Sequence, residues 1–150
     1  MRIHKLEAAD YESVEAVAHL FDQYRQFYEE KPNFETCLEY IKERTARAES
    51  TIFFAQNPAH EIVGFTQLYN SFCSVELQPL VYLYDLFVLV SARRTGAARA
   101  LMARAKEYAI ECRACRLTLA TQKTNKKAQS LYESLGYIRE GEFYNYDLNL

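Results

Sequence analysis

Leu-Val-Tyr-Leu-Tyr-Asp-Leu-Phe-Val-Leu-Val at residues 80–90, running on into Ser-Ala-Arg-Arg-Thr-Gly-Ala-Ala-Arg at residues 91–99, is the stretch that decides the fold. Its first half is an almost unbroken apolar and aromatic run, the pattern of a strand buried on both faces. Asp85 is the one charge in it. The second half is a short turn centred on Gly96 that opens into a helix over residues 97–113, with Ala98, Leu101, Ala105, Tyr108, Ala109 and Cys112 on one face. Amides at a helix start have no intrahelical acceptor and lie at the positive end of the helix dipole. Gly and Ala at that mouth let a pyrophosphate approach the backbone, and Arg93, Arg94 and Arg99 add neutralising charge. A tight turn with solvated arginines fits the same residues. A P-loop does not, because its closing Gly-Lys-Ser/Thr is missing.

Outward from this stretch, the periodicity predicts a short strand over residues 1–7 and an Asp10-capped amphipathic helix over residues 11–29. Lys31-Pro32-Asn33 breaks that helix, and Phe34, Leu38, Ile41 and Thr45 carry a second one to about residue 48. Residues 51–55 and 61–69 read as a hairpin around Gln56-Asn57-Pro58-Ala59-His60, followed by a looser segment over residues 70–79. A strand over residues 116–121, a helix over residues 125–135 closed by Gly136, and last strands at Ile138 and over residues 143–150 complete the chain. This order makes one mixed α+β domain spanning residues 1–150, without repeats, linkers or low-complexity segments.

Composition narrows the function. The chain has 150 residues, 49% hydrophobic and 25% charged, which excludes a disordered protein. A net charge of −2 argues against nucleic-acid binding, which needs clustered Lys and Arg. No apolar run approaches a membrane span, and the N-terminus lacks a signal-peptide core, so a cytoplasmic protein without a membrane partner is expected. Cys112-Arg-Ala-Cys115 is a lone C-x-x-C without a second ligand pair, and His4, His19 and His60 are scattered. Free thiols and no metal are the expectation. No Ser or Cys nucleophile motif with a His partner supports a hydrolase.

A second segment lies about thirty residues downstream of the turn: Asn125-Lys-Lys-Ala128-Gln-Ser-Leu131-Tyr132-Glu-Ser-Leu-Gly136-Tyr137. At 100° per residue Asn125, Ala128 and Tyr132 share one helical face; alone, Tyr132 reads as a core aromatic. Together the two segments resemble the GNAT superfamily of acetyl-CoA-dependent N-acetyltransferases. The first signature, Arg/Gln-x-x-Gly-x-Gly/Ala, is met by Arg93, Gly96 and Ala98. The second, Asn-x-x-Ala-x-x-Leu-Tyr-x-x-x-Gly-Phe/Tyr, is met by Asn125, Ala128, Leu131, Tyr132, Gly136 and Tyr137. Arg94 and Ala98 stand where glycine is more usual, and both keep backbone donors available.

The resemblance implies a GNAT fold: a mixed, mostly antiparallel sheet of about six to seven strands, splayed between the fourth and fifth, with about four helices. It implies acetyl-CoA as co-substrate, its arm along Phe87, Val88 and Leu89 and its pyrophosphate at Arg93, Arg94, Thr95, Gly96, Ala97, Ala98 and Arg99. Asn125 and Ala128 would complete the cofactor site, and Tyr132 would stand near the sulfur as the acid for the departing thiolate. A neutral amine would attack the thioester directly, with the amide near Val88 polarising its carbonyl. Asp85 is the candidate base for the arriving ammonium, or else a structural carboxylate; Glu76 is the second candidate. Tyr24, Phe27, Tyr28, Tyr82, Tyr84 and Tyr144 are candidate walls of an acceptor pocket for a cationic small molecule such as an amino acid or polyamine. The run Tyr82-Leu-Tyr-Asp85-Leu-Phe-Val88 is similar to the matching strand of diamine acetyltransferases, but Tyr84 replaces the first of their two acids. A homodimer is expected, as is common in the family. Two other readings are a non-catalytic acyl-CoA-binding module and a protein-directed acetyltransferase.

Overall fold

Backbone hydrogen bonds join five strands in simple sequence order, β1 (Arg2–Lys5), β2 (Thr51–Gln56), β3 (Ile62–Cys73), β4 (Gln78–Val88) and β5 (Leu117–Leu119), in a computed structural model that describes residues 1–150. The first three pairings are antiparallel and the last, β4 with β5, is parallel. Four helices accompany them: α1 (Tyr11–Phe27), α2 (Phe34–Ala46), α3 (Ala97–Glu111) and α4 (Lys126–Ser134). The chain forms two compact units, Met1–Leu119 and Ala120–Leu150.

Two expectations are corrected. The segment over residues 70–73 is not loose: β3 continues through it because Asn70, Ser71, Phe72 and Cys73 pair with Val81, Leu80, Pro79 and Gln78. In the other direction, the sheet has five strands, not six or seven. Residues 138–150 form no strand, because no ladder of backbone partners accompanies their alternating apolar pattern.

In the first unit the sheet carries helices on both faces. Residues directly opposite one another on neighbouring strands share a face. Ile52 and Gln67, Phe54 and Phe65, and Phe65 and Phe87 are such pairs. Ile52, Phe54 and Phe65 form one core with Val14, Val17, Ala18 and Leu20 of α1 and Ile41 of α2. The other face is covered by α3, whose Tyr108 meets the Phe53 ring edge-on at 5.8 Å and whose Arg104 guanidinium stacks on that ring at 4.4 Å.

Capping explains where the helices start and stop. Asp10, Asn33 and Asn125 each accept a hydrogen bond from the amide three residues on, at the N-termini of α1, α2 and α4; such a cap is worth about 1 kcal/mol. α3 starts instead at Gly96, which has no side chain to cap it. All four C-termini close the same way, with the residue after the C-cap at positive φ: Glu29 at 66°, Ala48 at 51°, Arg113 at 54° and Gly136 at 86°. At α4, for example, the amide of Gly136 bonds the Glu133 carbonyl and that of Tyr137 bonds the Tyr132 carbonyl. That is the doubly bonded Schellman closure.

Candidate active site

The site is built around an irregularity in β4. Gln67 of β3 faces Asp85, but the next β3 residue, Leu68, faces Leu83, so Tyr84 is an extra residue in β4. This is a β-bulge. Without it Asp85 would share a face with Leu83. With it, Asp85 joins Gln67, Tyr69 and Tyr82 on the face that packs against α1 and α2. Tyr84 projects toward the same group, 5.5 Å from the rings of both Tyr69 and Tyr82.

Asp85 is 4% exposed. Its Oδ2 accepts from the amide of Gln67 at 2.8 Å, and Gln67 in turn accepts from the Ser50 hydroxyl at 2.9 Å. Burial raises the Asp85 carboxyl above the ordinary carboxylate range, with Gln67 and Tyr24 hydrogen bonds pulling part of the way back. The Tyr24 phenol moves upward too, first by burial and then by the Asp85 charge, so it stays protonated and serves as a donor. Tyr69 is raised by burial, by its 2.8 Å hydroxyl contact with Tyr40, and by Asp85. One buried carboxyl therefore acts on phenols from α1 and from β3.

The aromatic rings form a continuous set. Tyr28 meets Tyr24 at 5.1 Å and Phe27 at 5.2 Å; Tyr24 continues to Phe21 at 6.3 Å, and Phe21 to Tyr40 at 5.5 Å. Tyr24 also meets the edges of Phe65 and Phe87. The structure thus brings together five of the six expected acceptor residues, Tyr24, Phe27, Tyr28, Tyr82 and Tyr84. Tyr144 lies in the second unit and is exposed. Gln67, Tyr69 and Tyr40 were not foreseen. Gln67 had one signal: it lies in the strand expected to precede β4 and is polar inside an apolar run.

At the C-terminal end of β4 the sheet opens. β5 pairs with β4 only at Val81, Tyr82 and Leu83, so the β5 side of residues 84–88 has no strand beside it. Leu89 donates its amide to Val63 of β3 at 2.9 Å. The antiparallel alternation then turns the Phe87 backbone toward β3 as well and the Val88 amide to the open side. Of the three expected arm-binding residues, Val88 alone offers its backbone there.

A single 3₁₀ turn, Val90–Ala92, leads to the glycine turn. Arg93 donates from Nε to the Val88 carbonyl at 3.3 Å, and the Thr95 hydroxyl to the Ala92 carbonyl at 2.6 Å. Arg94 takes φ of 65° and Gly96 φ of 91°, and a Cβ at Gly96 would meet no atom within 4 Å. Arg93, Arg94 and Arg99 are exposed around this turn. An uncapped helix start, room above its glycine and three arginines are a fit for a phosphate-bearing group.

In the second unit Asn125 caps α4 through Oδ1 to the Ala128 amide at 3.2 Å, which leaves its side-chain amide as a donor. The Tyr132 ring lies 6.0 Å from Tyr137, whose phenol is pushed up to about 12 by burial and by Tyr132. Glu76, the second candidate base, is held instead by Arg116 at 2.6 Å in the β3–β4 turn.

Residues 14–137 match the family described as Acetyltransferase (GNAT) family. An uncharacterised N-acetyltransferase of Bacillus subtilis (strain 168), YhfO, is 40% identical over 150 residues, all of this chain and 98% of that protein. A crystal structure of a probable acetyltransferase superposes with a TM-score of 0.91 at 36% identity, over all of this chain and 98% of that one. An aminoglycoside N-acetyltransferase in complex with CoA shares the fold, with a TM-score of 0.82 at 18% identity over 99% and 95% of the two chains. The uncapped glycine turn, the opened sheet and these likenesses agree: the chain belongs to the GNAT acetyltransferase family and is an acetyl-CoA-dependent N-acetyltransferase.

Proposed function

We propose that the protein acetylates the primary amine of a small cationic molecule, such as an amino acid or polyamine, working as one domain over residues 1–150. The observation that carries this reading is Asp85, a buried carboxyl that the bulge sets on the face of Tyr69 and Tyr82, hydrogen-bonded to Tyr24, whose ring in turn meets Tyr28 and Phe87. Acetyl-CoA supplies the acyl group as an activated thioester. Its phosphates are assigned to the turn from Arg93 to Arg99, with Asn125 and Ala128 completing the cofactor residues, and the Val88 amide polarises the acyl carbonyl.

An ammonium among these rings is favoured by their π faces and by Asp85. A raised carboxyl pKa makes Asp85 a better base than a surface carboxylate, and the free amine left behind is the nucleophile. Gln67 and Tyr24 hold the carboxyl through both protonation states. Tyr132 is assigned the proton that the departing sulfur needs, as a phenol able to act as a general acid. We place the enzyme in the cytoplasm, as a homodimer.

A panel of amino acids, polyamines and aminoglycosides, read by free thiol release from acetyl-CoA, tests this directly. Turnover confined to small cationic amines supports the reading. Turnover only with protein substrates, or none with any amine at saturating acetyl-CoA, overturns it.

A further inference from the structure

Away from the acetyl-transfer residues, three side chains meet where the β3–β4 turn comes beside the start of β5. The thiol sulfurs of Cys73 and Cys115 and a carboxylate oxygen of Glu76 all lie within 4.8 Å of one another. Cys73 ends β3 opposite Gln78, while the Cys115 amide bonds the Pro79 carbonyl from the other side of β4. The two cysteines therefore reach across the first residues of one strand from its two neighbours.

That placement selects the chemistry. Backbones two strands apart are separated by about 9.5 Å, twice the usual strand spacing. A disulfide needs Cα atoms closer than about 7 Å. A metal ion with bonds of about 2.3 Å to each sulfur accepts thiolates roughly 3.8 Å apart, so it spans a gap that a disulfide cannot. A cation already lies at the focus. Arg116 donates to Glu76 at 2.6 Å, to the Cys115 sulfur at 3.8 Å and to the Cys73 sulfur at 3.7 Å. Its side chain is half exposed, which leaves it a path out.

The geometry points to a binding site for one soft divalent cation of the Zn²⁺ class, held by Cys73, Cys115 and Glu76 with water as fourth ligand. Two sulfurs and one carboxylate favour zinc or cobalt over magnesium or calcium. On binding, each thiol gives its proton to solvent, and Arg116 gives up its place between the sulfurs and Glu76 and swings out into solvent. Cys112 takes no part despite its C-x-x-C spacing from Cys115, because its sulfur is not among the ligand atoms that converge there. The ion would tie the β3–β4 turn to the start of β5, at the paired end of β4 opposite the opening.

Titrating the reduced, metal-free full chain with cobalt(II) tests the site. The expected result is one ion per chain, with thiolate-to-cobalt charge-transfer absorption in the near ultraviolet and the visible bands of a tetrahedral site. Cys73→Ser and Cys115→Ser should each weaken binding by more than the roughly 10–100-fold typical of outer-shell changes. Cys112→Ser should bind as the wild type does. Arg116→Ala should bind more tightly, by up to roughly fivefold, because the resident cation is gone. Far-ultraviolet circular dichroism checks that each variant is folded. No charge-transfer band at excess cobalt, a band that survives in the Cys73→Ser/Cys115→Ser double variant, or a band lost with Cys112→Ser overturns the proposal.

Discussion

Asp85 separates stability from catalysis. Its carboxyl is raised in the folded protein relative to the unfolded chain, so the native state binds more protons between the ordinary carboxylate range and the raised folded value. Unfolding free energy therefore falls as pH rises through that window, and above it the ionised, buried carboxylate is a net cost. Asp85→Asn keeps the shape and can still accept from Gln67. It should hold or raise the melting temperature at neutral pH while raising the acceptor KM or flattening the acidic limb of kcat/KM. A variant that melts far below wild type with an unchanged pH profile would make Asp85 scaffolding. Tyr132 is tested by an even smaller change. Tyr132→Phe should lower kcat roughly tenfold or more with CoA affinity nearly unchanged, in steady-state kinetics set beside calorimetry.

Among the elements, the start of α3 is the most exposed to a single substitution. An aspartate at position 96 tolerates positive φ better than most residues and is itself a good N-cap. Gly96→Asp should thus leave the fold intact while its carboxylate takes the free amides and repels the pyrophosphate; calorimetry should show CoA affinity lost, and retained affinity would move the phosphates elsewhere. The C-termini invite the opposite experiment. The chain has only 4 glycines, and three helices close on Glu29, Ala48 and Arg113 in the conformation glycine prefers. At exposed Ala48 the change to glycine relieves the Cβ strain but frees the unfolded chain, for a net gain of up to about 1 kcal/mol in denaturant melts. The elements also show what was readable in advance. The strand–turn–helix and the Asn125-to-Tyr137 motif were legible because each depends on local spacing. The bulge was not, since residues 80–90 are apolar on both faces and offer no alternation for an extra residue to break. Gln67, Tyr69 and Tyr40 reach the site only through sheet register and helix packing, which short-range patterns do not encode. The alternation over residues 143–150 reads as a strand, yet a strand exists only where a partner supplies the ladder.

For the molecule as a whole, the C-terminal segment bears on association. Phe143, Tyr144, Tyr146, Leu148 and Leu150 are all exposed. Contiguous apolar side chains of this kind mark interfaces more often than bare surface. A homodimer is the expected species in multi-angle light scattering at micromolar concentration, and removal of residues 143–150 should shift it toward monomer. A monomeric full-length protein refutes this.

The bulge has a consequence for how this site can change through evolution or engineering. Between Leu83 and Asp85 the chain holds one residue more than the ladder needs, and by leaving Tyr84 unpaired the bulge keeps the acid facing α1 instead of α3. Replacing Tyr84 alters a wall; deleting it would join Leu83 directly to Asp85, restore a regular ladder and leave the acid opposite Gln67. Acceptor preference can therefore drift by substitution along β4 and even by loss of Tyr84, because the bulge has already absorbed the one residue that the ladder does not need. What lineages of this enzyme have to preserve is the partnership of Asp85 with Gln67, not the number of residues that lead up to it.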